Sequence, residues 1–168
     1  ACAAAICKKF LSQFDIEVNV YIPNRLNEGY GLNLEAIDKI LTFSQNILVL
    51  DCGSNNLKEQ EYIINQGGQV MIIDHHECEL FFDQAIVVNP KTPNDQSELD
   101  DLCATALTFL VLVYLKNENI FPNIDVLQYL DLVALATICD LVPLSEINRS
   151  FVKQGLKVIN SDSVNKGI

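Results

Sequence analysis

Ile72-Ile73-Asp74-His75-His76-Glu77 is an apolar strand that runs straight into a carboxylate and the only two histidines of the chain. An Asp-His-His corner where a buried strand ends gathers two imidazoles and an acid in a small volume. Those groups are donors for a divalent metal ion. The same six residues also fit a strand end followed by a polar turn, so the surrounding sequence has to decide between the two. The strand reading extends back to Gln69, because Gly67-Gly68 stops the helical pattern before it.

Working outward, Ile47-Leu48-Val49-Leu50 is a second, fully apolar strand, and it ends on Asp51-Cys52-Gly53. Ser54 is the expected cap of a helix reaching Gln66. Further upstream, a helix is expected over residues 2–14, an alternating strand over Ile16-Glu17-Val18-Asn19-Val20-Tyr21-Ile22, and a helix from the N-cap Asn33 to Phe43. Downstream, Ala85 to Asn89 reads as a strand and Pro90 to Asp101 as a polar loop. Helices are expected over about 99–116, 123–139 and 145–160. Continuous apolar strands separated by helices predict an α/β fold: a parallel, Rossmann-like sheet flanked by helices, with a helical C-terminal third.

In such sheets functional residues gather beyond the carboxyl ends of the strands. That rule brings Asp51 toward His75 and His76, although an acid at this point can equally cap the following turn. Asp140 is a further candidate, in Ala136-Thr137-Ile138-Cys139-Asp140-Leu141-Val142-Pro143. It follows an apolar helix, faces the negative end of the helix dipole, and has apolar neighbours expected to desolvate it, costs that a bound cation offsets. Asp131, nine residues earlier, reads as a structural or first-turn acid.

The 168 residues are 49% hydrophobic and 20% charged, enough for one globular domain with a real core. A formal net charge of -11 argues against a generic basic nucleic-acid surface and fits either carboxylates gathered around cations or a basic surface outside this segment. The longest apolar run, Leu102 to Leu115, is shorter than the roughly 20 residues that span a bilayer, so it reads as a buried helix and no membrane association is expected. The six cysteines form no C-x-x-C pair, which fits buried thiols in a reducing, cytoplasmic setting and argues against zinc. The first residues, Ala1 to Leu11, open directly into a helical pattern, and Asn165 to Ile168 close no element. Both ends read as cuts in a longer protein.

With these residues in place, the chain resembles the RecJ-like branch of the DHH phosphoesterase superfamily over nearly its whole length. The matching stretches are Ile22-Pro23-Asn24-Arg25 with Glu28-Gly29-Tyr30-Gly31-Leu32, Val49-Leu50-Asp51-Cys52-Gly53, Ile73-Asp74-His75-His76-Glu77 and Val88-Asn89-Pro90-Lys91. They continue with Leu130 to Leu135, Cys139-Asp140-Leu141-Val142-Pro143-Leu144 and Asn148-Arg149. The Asp-His-His triplet is shared across the superfamily, while the Ile-Pro-Asn-Arg and Glu-Gly-Tyr-Gly-Leu stretches point to the RecJ-like exonucleases. The resemblance implies that residues 1–168 are a DHH catalytic domain, truncated at both ends, of a 5′→3′ exonuclease for single-stranded DNA in repair and recombination. It implies a two-metal site for Mn²⁺ or Mg²⁺, with Asp51 bridging the ions and His75 and Asp140 as ligands. His76 then faces the scissile phosphate and Asp74 supports it, while Arg25 and Arg149 are expected at phosphates or in salt bridges.

Helicase and single-strand-binding protein are the partners such an enzyme implies. The superfamily's Asp-x-Asp-Gly motif, which supplies further metal ligands, is absent from these residues, and the segment alone is therefore expected to be inactive. Leu102 to Leu107 stands where the family often carries a glycine. Two alternatives remain: a phosphodiesterase for oligonucleotides or cyclic dinucleotides on the same fold, and a catalytically dead fragment acting as a binding module.

Overall fold

Runs rich in Val and Ile lose less side-chain freedom on a pleated, half-buried surface than in a helix. In the computed structural model three such runs become β1 (Asn46–Leu50), β2 (Gln69–Ile73) and β3 (Ile86–Val88). They form one sheet in the order β1-β2-β3, with both pairings parallel. The structure describes residues 1–168 apart from 25, 30, 80, 81, 94, 162, 163 and 166–168.

Parallel neighbours need a crossover, and α3 (Leu57–Asn65) supplies it between β1 and β2. The register sets Leu50 against Ile73 and Ile73 against Val88, so the three strands finish level. The first residues beyond them are Asp51, Asp74 and Asn89. Two of these continue the ladder: the Asp51 N–H donates to the Ile73 carbonyl and the Asp74 N–H to the Val88 carbonyl, each at 3.0 Å. This level edge is what positions the site.

α2 (Leu34–Leu41) begins at Asn33, whose Oδ1 accepts the Ala36 N–H at 2.9 Å, the cap expected from the sequence. α2 and α3 set Ile37 and Ile63 against Ile47, Val49, Val70 and Ile72 of the sheet. Ile37, Ile63 and Ile72 are fully buried, and each such side chain contributes about 1.5–3 kcal/mol relative to exposure.

The chain forms two compact units, the sheet unit Asn19–Asp100 and a helical unit of Ala1–Val18 with Asp101–Ile168. The helical unit holds α1 (Cys2–Leu11) with a 3₁₀ turn at Ser12–Phe14, α4 (Ala104–Asn117), a 3₁₀ turn at Val126–Tyr129, α5 (Leu130–Cys139) and α6 (Glu146–Ile159). α4 buries Ala104 through Phe109 and Leu112, as its apolar run requires. α5 and α6 pack closely because Gly155 is in the contact. A Cβ there would run into the Leu130 carbonyl oxygen and the Ala134 methyl. Among the described residues no helix is long and apolar enough to cross a membrane.

Two expectations are corrected. Residues 16–22 form no strand: Ile16, Val20 and Ile22 are 43%, 41% and 72% exposed, and the boundary between the units falls after Val18. Alternating apolar residues suit a half-buried surface, but a strand also needs a paired neighbour, and this stretch leads from one unit to the other. Ser54 does not cap α3, which starts at Leu57 behind Asn56. Its hydroxyl is buried and accepts a hydrogen from Asn89 instead.

Candidate metal centre

Asp51 leaves β1 with φ 67°, in the left-handed region that aspartate tolerates better than most residues. Gly53 follows at φ 107°, where an added Cβ would sit 3.0 Å from Val49 Cγ1, so the turn closes tightly over the end of β1. This bend puts the Asp51 carboxylate, half exposed, beside the loop that leaves β2. His75 Nε2 lies 3.3 Å from Asp51 Oδ1. Donor atoms of Asp51, His75 and His76 all fall within 4.8 Å of one another, which is the spacing of ligands around a cation.

Asp74 lies beneath this trio and is 1% exposed. Its Oδ1 accepts the His75 N–H at 2.8 Å and pairs with His76 Nδ1 at 2.7 Å, and its Oδ2 accepts the Ser54 N–H at 3.1 Å. Burial pushes its carboxyl pKa up, but the hydrogen bonds from His76, the two backbone N–H groups and the Ser54 hydroxyl outweigh it, and the net shift is downward. Asp74 is therefore a buried carboxylate, and the His76 ring, 43% exposed, is turned so that Nε2 faces away from it. Burial, helped by the charges of Asp74 and Asp51, raises the Cys52 thiol to about 11. At neutral pH the donors on this edge are oxygen and imidazole nitrogen, a set suited to Mn²⁺ better than to thiolate-bound zinc.

The structure thus brings together Asp51, His75 and His76, with Asp74 behind them. Asp140 belongs to the helical unit, where it ends α5 as an exposed residue. The expected desolvation of Asp140 does not occur. Ile138 is 48% and Leu141 88% exposed, and Leu141 turns outward at φ 57°. Arg149 is exposed on α6 and donates to the Leu144 carbonyl at 3.5 Å. Arg25 lies outside the described residues.

Three buried polar residues at this edge were not among the site residues expected from the sequence: Ser54, Asn89 and Gln60. Gln60 Nε2 donates to the Gly53 carbonyl at 2.7 Å and holds the turn after β1. A usable signal did exist for Asn89: like Asp51 and Asp74, it is the first polar residue after an apolar strand.

The model of the DHH family, N-terminal domain, matches residues 1–137. The chain belongs to the DHH family. It is 34% identical over 159 residues to the single-stranded-DNA-specific exonuclease RecJ of Thermus thermophilus, covering 95% of this chain and 23% of that protein. Against the Bacillus subtilis RecJ the identity is 33% over 150 residues, covering 88% of this chain and 18% of the relative. This DHH chain therefore spans less than a quarter of the length of either relative. Among solved structures it is similar to an exonuclease RecJ bound to manganese, with TM-score 0.81 and 33% identity over 93% of this chain and 40% of that one. The Thermus thermophilus RecJ in complex with Mn²⁺ matches with TM-score 0.74 and 29% identity, over 93% of this chain and 22% of the other. The DHH fold expected from the sequence, a parallel sheet flanked by helices, is the fold observed.

Proposed function

We propose that this DHH chain is the catalytic part of a 5′→3′ exonuclease that hydrolyses single-stranded DNA with two divalent cations, Mn²⁺ or Mg²⁺. The observation that carries the reading is the cluster of Asp51, His75 and His76 donor atoms within 4.8 Å at the carboxyl edge of a parallel sheet. Support comes from the manganese carried by the structural relatives and from the single-stranded-DNA specificity in the names of the sequence relatives.

The residues present suit such a centre. Asp51, half exposed, would offer two carboxylate oxygens and a negative charge to the cations. His75 would complete the binding of one ion, joined by Asp140 from the helical unit. When bound, the cations would supply a Lewis acid for a phosphoryl oxygen and a means of generating hydroxide near neutral pH. The chain's own groups do the remaining work. Asp74 holds His76 through Nδ1, which would aim Nε2 outward toward the scissile phosphate. Asp74 itself keeps its hydrogen bonds and touches no substrate. Arg25 and Arg149 are proposed to contact phosphates further along the strand. The net charge of -11 gives these 168 residues no broad basic surface for DNA. A cytoplasmic setting and cooperation with a helicase and a single-strand-binding protein are part of the same proposal.

The test is nucleotide release by the intact protein from 5′-labelled single-stranded DNA, duplex DNA, a linear dinucleotide and a cyclic dinucleotide, with and without Mn²⁺. Mononucleotide release from the single strand, dependent on Mn²⁺ and lost in Asp51→Asn, supports the proposal. Hydrolysis confined to dinucleotides would move the chain to the small-substrate branch, and binding without hydrolysis would make it a non-catalytic module.

A further inference from the structure

We infer that Asn89 and Ser54 are positioning residues for this centre: a buried hydrogen-bond chain from Asn89 through Ser54 to Asp74 sets which nitrogen of His76 faces outward. The inference rests on the proposed use of His76 at a phosphodiester. Its structural half stands on the hydrogen bonds alone.

The direction of the chain follows from counting donors and acceptors. Asn89 Oδ1 accepts the Lys91 backbone N–H at 2.9 Å. A backbone N–H only donates, so the amide of Asn89 has one orientation here. Its Nδ2 faces the other way and donates to Ser54 Oγ at 2.9 Å and to the His76 carbonyl at 2.9 Å. Ser54 Oγ accepts from Asn89, and its hydroxyl is among the groups that hold the Asp74 carboxyl below its usual range. Ser54 adds its backbone N–H to Asp74 Oδ2 at 3.1 Å.

Asp74 is therefore an acceptor on every side. The nitrogen of His76 that lies 2.7 Å from Asp74 Oδ1 must carry the hydrogen, which leaves the lone pair of the neutral ring on Nε2. The second arm of Asn89, to the His76 carbonyl, fixes the peptide on which that ring is mounted. Asn89, Ser54 and Asp74 are 4%, 0% and 1% exposed, so water is excluded as a substitute partner and each bond of the chain is the stronger for it. Asp74 and Asn89 stand at the level ends of neighbouring strands, and Ser54 stands three residues beyond Asp51, in the turn after β1. Sliding one strand by a residue would break the whole chain. Outer hydrogen bonds of this kind set the tautomer and orientation of ligating histidines, and their loss typically costs about 10–100-fold in metal affinity or activity.

The experiment uses the intact protein. Histidine nitrogen NMR of the metal-free, unaltered protein at alkaline pH should find His76 in the Nδ1–H tautomer. An Nε2–H tautomer there overturns the inference without any variant. Ser54→Ala, which keeps the backbone N–H to Asp74, and Asn89→Ala should both raise the Nε2–H population. Both should lower kcat by about tenfold or more, with KM moving less than about twofold and Mn²⁺ still bound at Asp51 and His75. Folded variants with the native tautomer and an unchanged kcat would show a merely structural role and sink the inference. If Asn89→Ala does not fold, the single-atom deletion in Ser54→Ala and the tautomer of the unaltered protein still decide. A protein with the Nδ1–H tautomer that binds no Mn²⁺ and cleaves no DNA removes the nuclease reading while leaving the positioning chain in place.

Discussion

Among the described residues each unit contains one buried aspartate near the start of a turn or helix, and the two have opposite surroundings. Asp74 in the sheet unit is 1% exposed and Asp131 in the helical unit 0%. Both accept backbone N–H groups: Asp74 from Ser54 and His75, Asp131 from Leu132 at 2.7 Å and Asn165 at 2.7 Å. The difference lies in the last partner. Asp131 is closed over by the side-chain amide of Asn165, itself 6% exposed and bonded in turn by the exposed Lys9, so its hydrogen bonds end on an ammonium, which cannot hold a cation. Asp74 passes its charge to an imidazole that is 43% exposed and stands beside Asp51 and His75. Burial of an acid does not mark function by itself. What marks it is whether the hydrogen-bond chain from that acid ends at a group able to take part in binding a cation.

That contrast can be broken most forcefully at the exposed end. Asp51→Asn keeps a residue that tolerates the left-handed backbone but removes the charge proposed to hold the ions. Hydrolysis of single-stranded DNA should fall by about 10³-fold or more, since a metal centre supplies several kcal/mol of transition-state stabilisation. Circular dichroism should show an unchanged fold.

Asp131→Ala should do the reverse. Leaving the Leu132 and Asn165 donors unsatisfied should lower stability by about 3 kcal/mol in denaturant titration, while kcat per folded molecule stays at the native level. If instead kcat collapses and stability holds, the two aspartates have been assigned the wrong way round.

His76→Ala separates chemistry from metal binding. Turnover should fall by about 10²-fold, the range of a single group acting on a proton or phosphate in the transition state. Calorimetry should still detect Mn²⁺ on Asp51 and His75, and complete loss of binding would make His76 a ligand instead. The smallest effect is a control within the sheet unit. Asn33→Ala removes the α2 cap and should cost about 1 kcal/mol of stability with no change in turnover per folded molecule.

The level edge of the sheet was legible because each strand is an uninterrupted apolar run ending on a polar residue, and the rule that sites gather beyond strand ends needed nothing more. Asn33 was legible as a cap because capping is local. The partner of a side chain twenty or more residues away is not local, and this is where the sequence reading failed. Ser54 looked like a cap because its hydroxyl stood before a helical pattern, yet in the fold Asn89 and Asp74 claim it first. The 16–22 alternation signalled a surface without signalling a neighbour. At Asp140 the apolar residues on either side suggested burial, but a left-handed Leu141 turns that stretch outward at the end of α5. The direction of a chain leaving a helix is a backbone property that neighbouring hydropathy does not encode.

The most direct measurement is an anomalous difference map, at the manganese absorption edge, from crystals of the intact protein grown with Mn²⁺. The account predicts peaks at bonding distance from the Asp51 carboxylate and the His75 ring, with Asp74 touching none of them. Manganese found only on other carboxylates, with Asp51 and His75 still paired to each other, would contradict it.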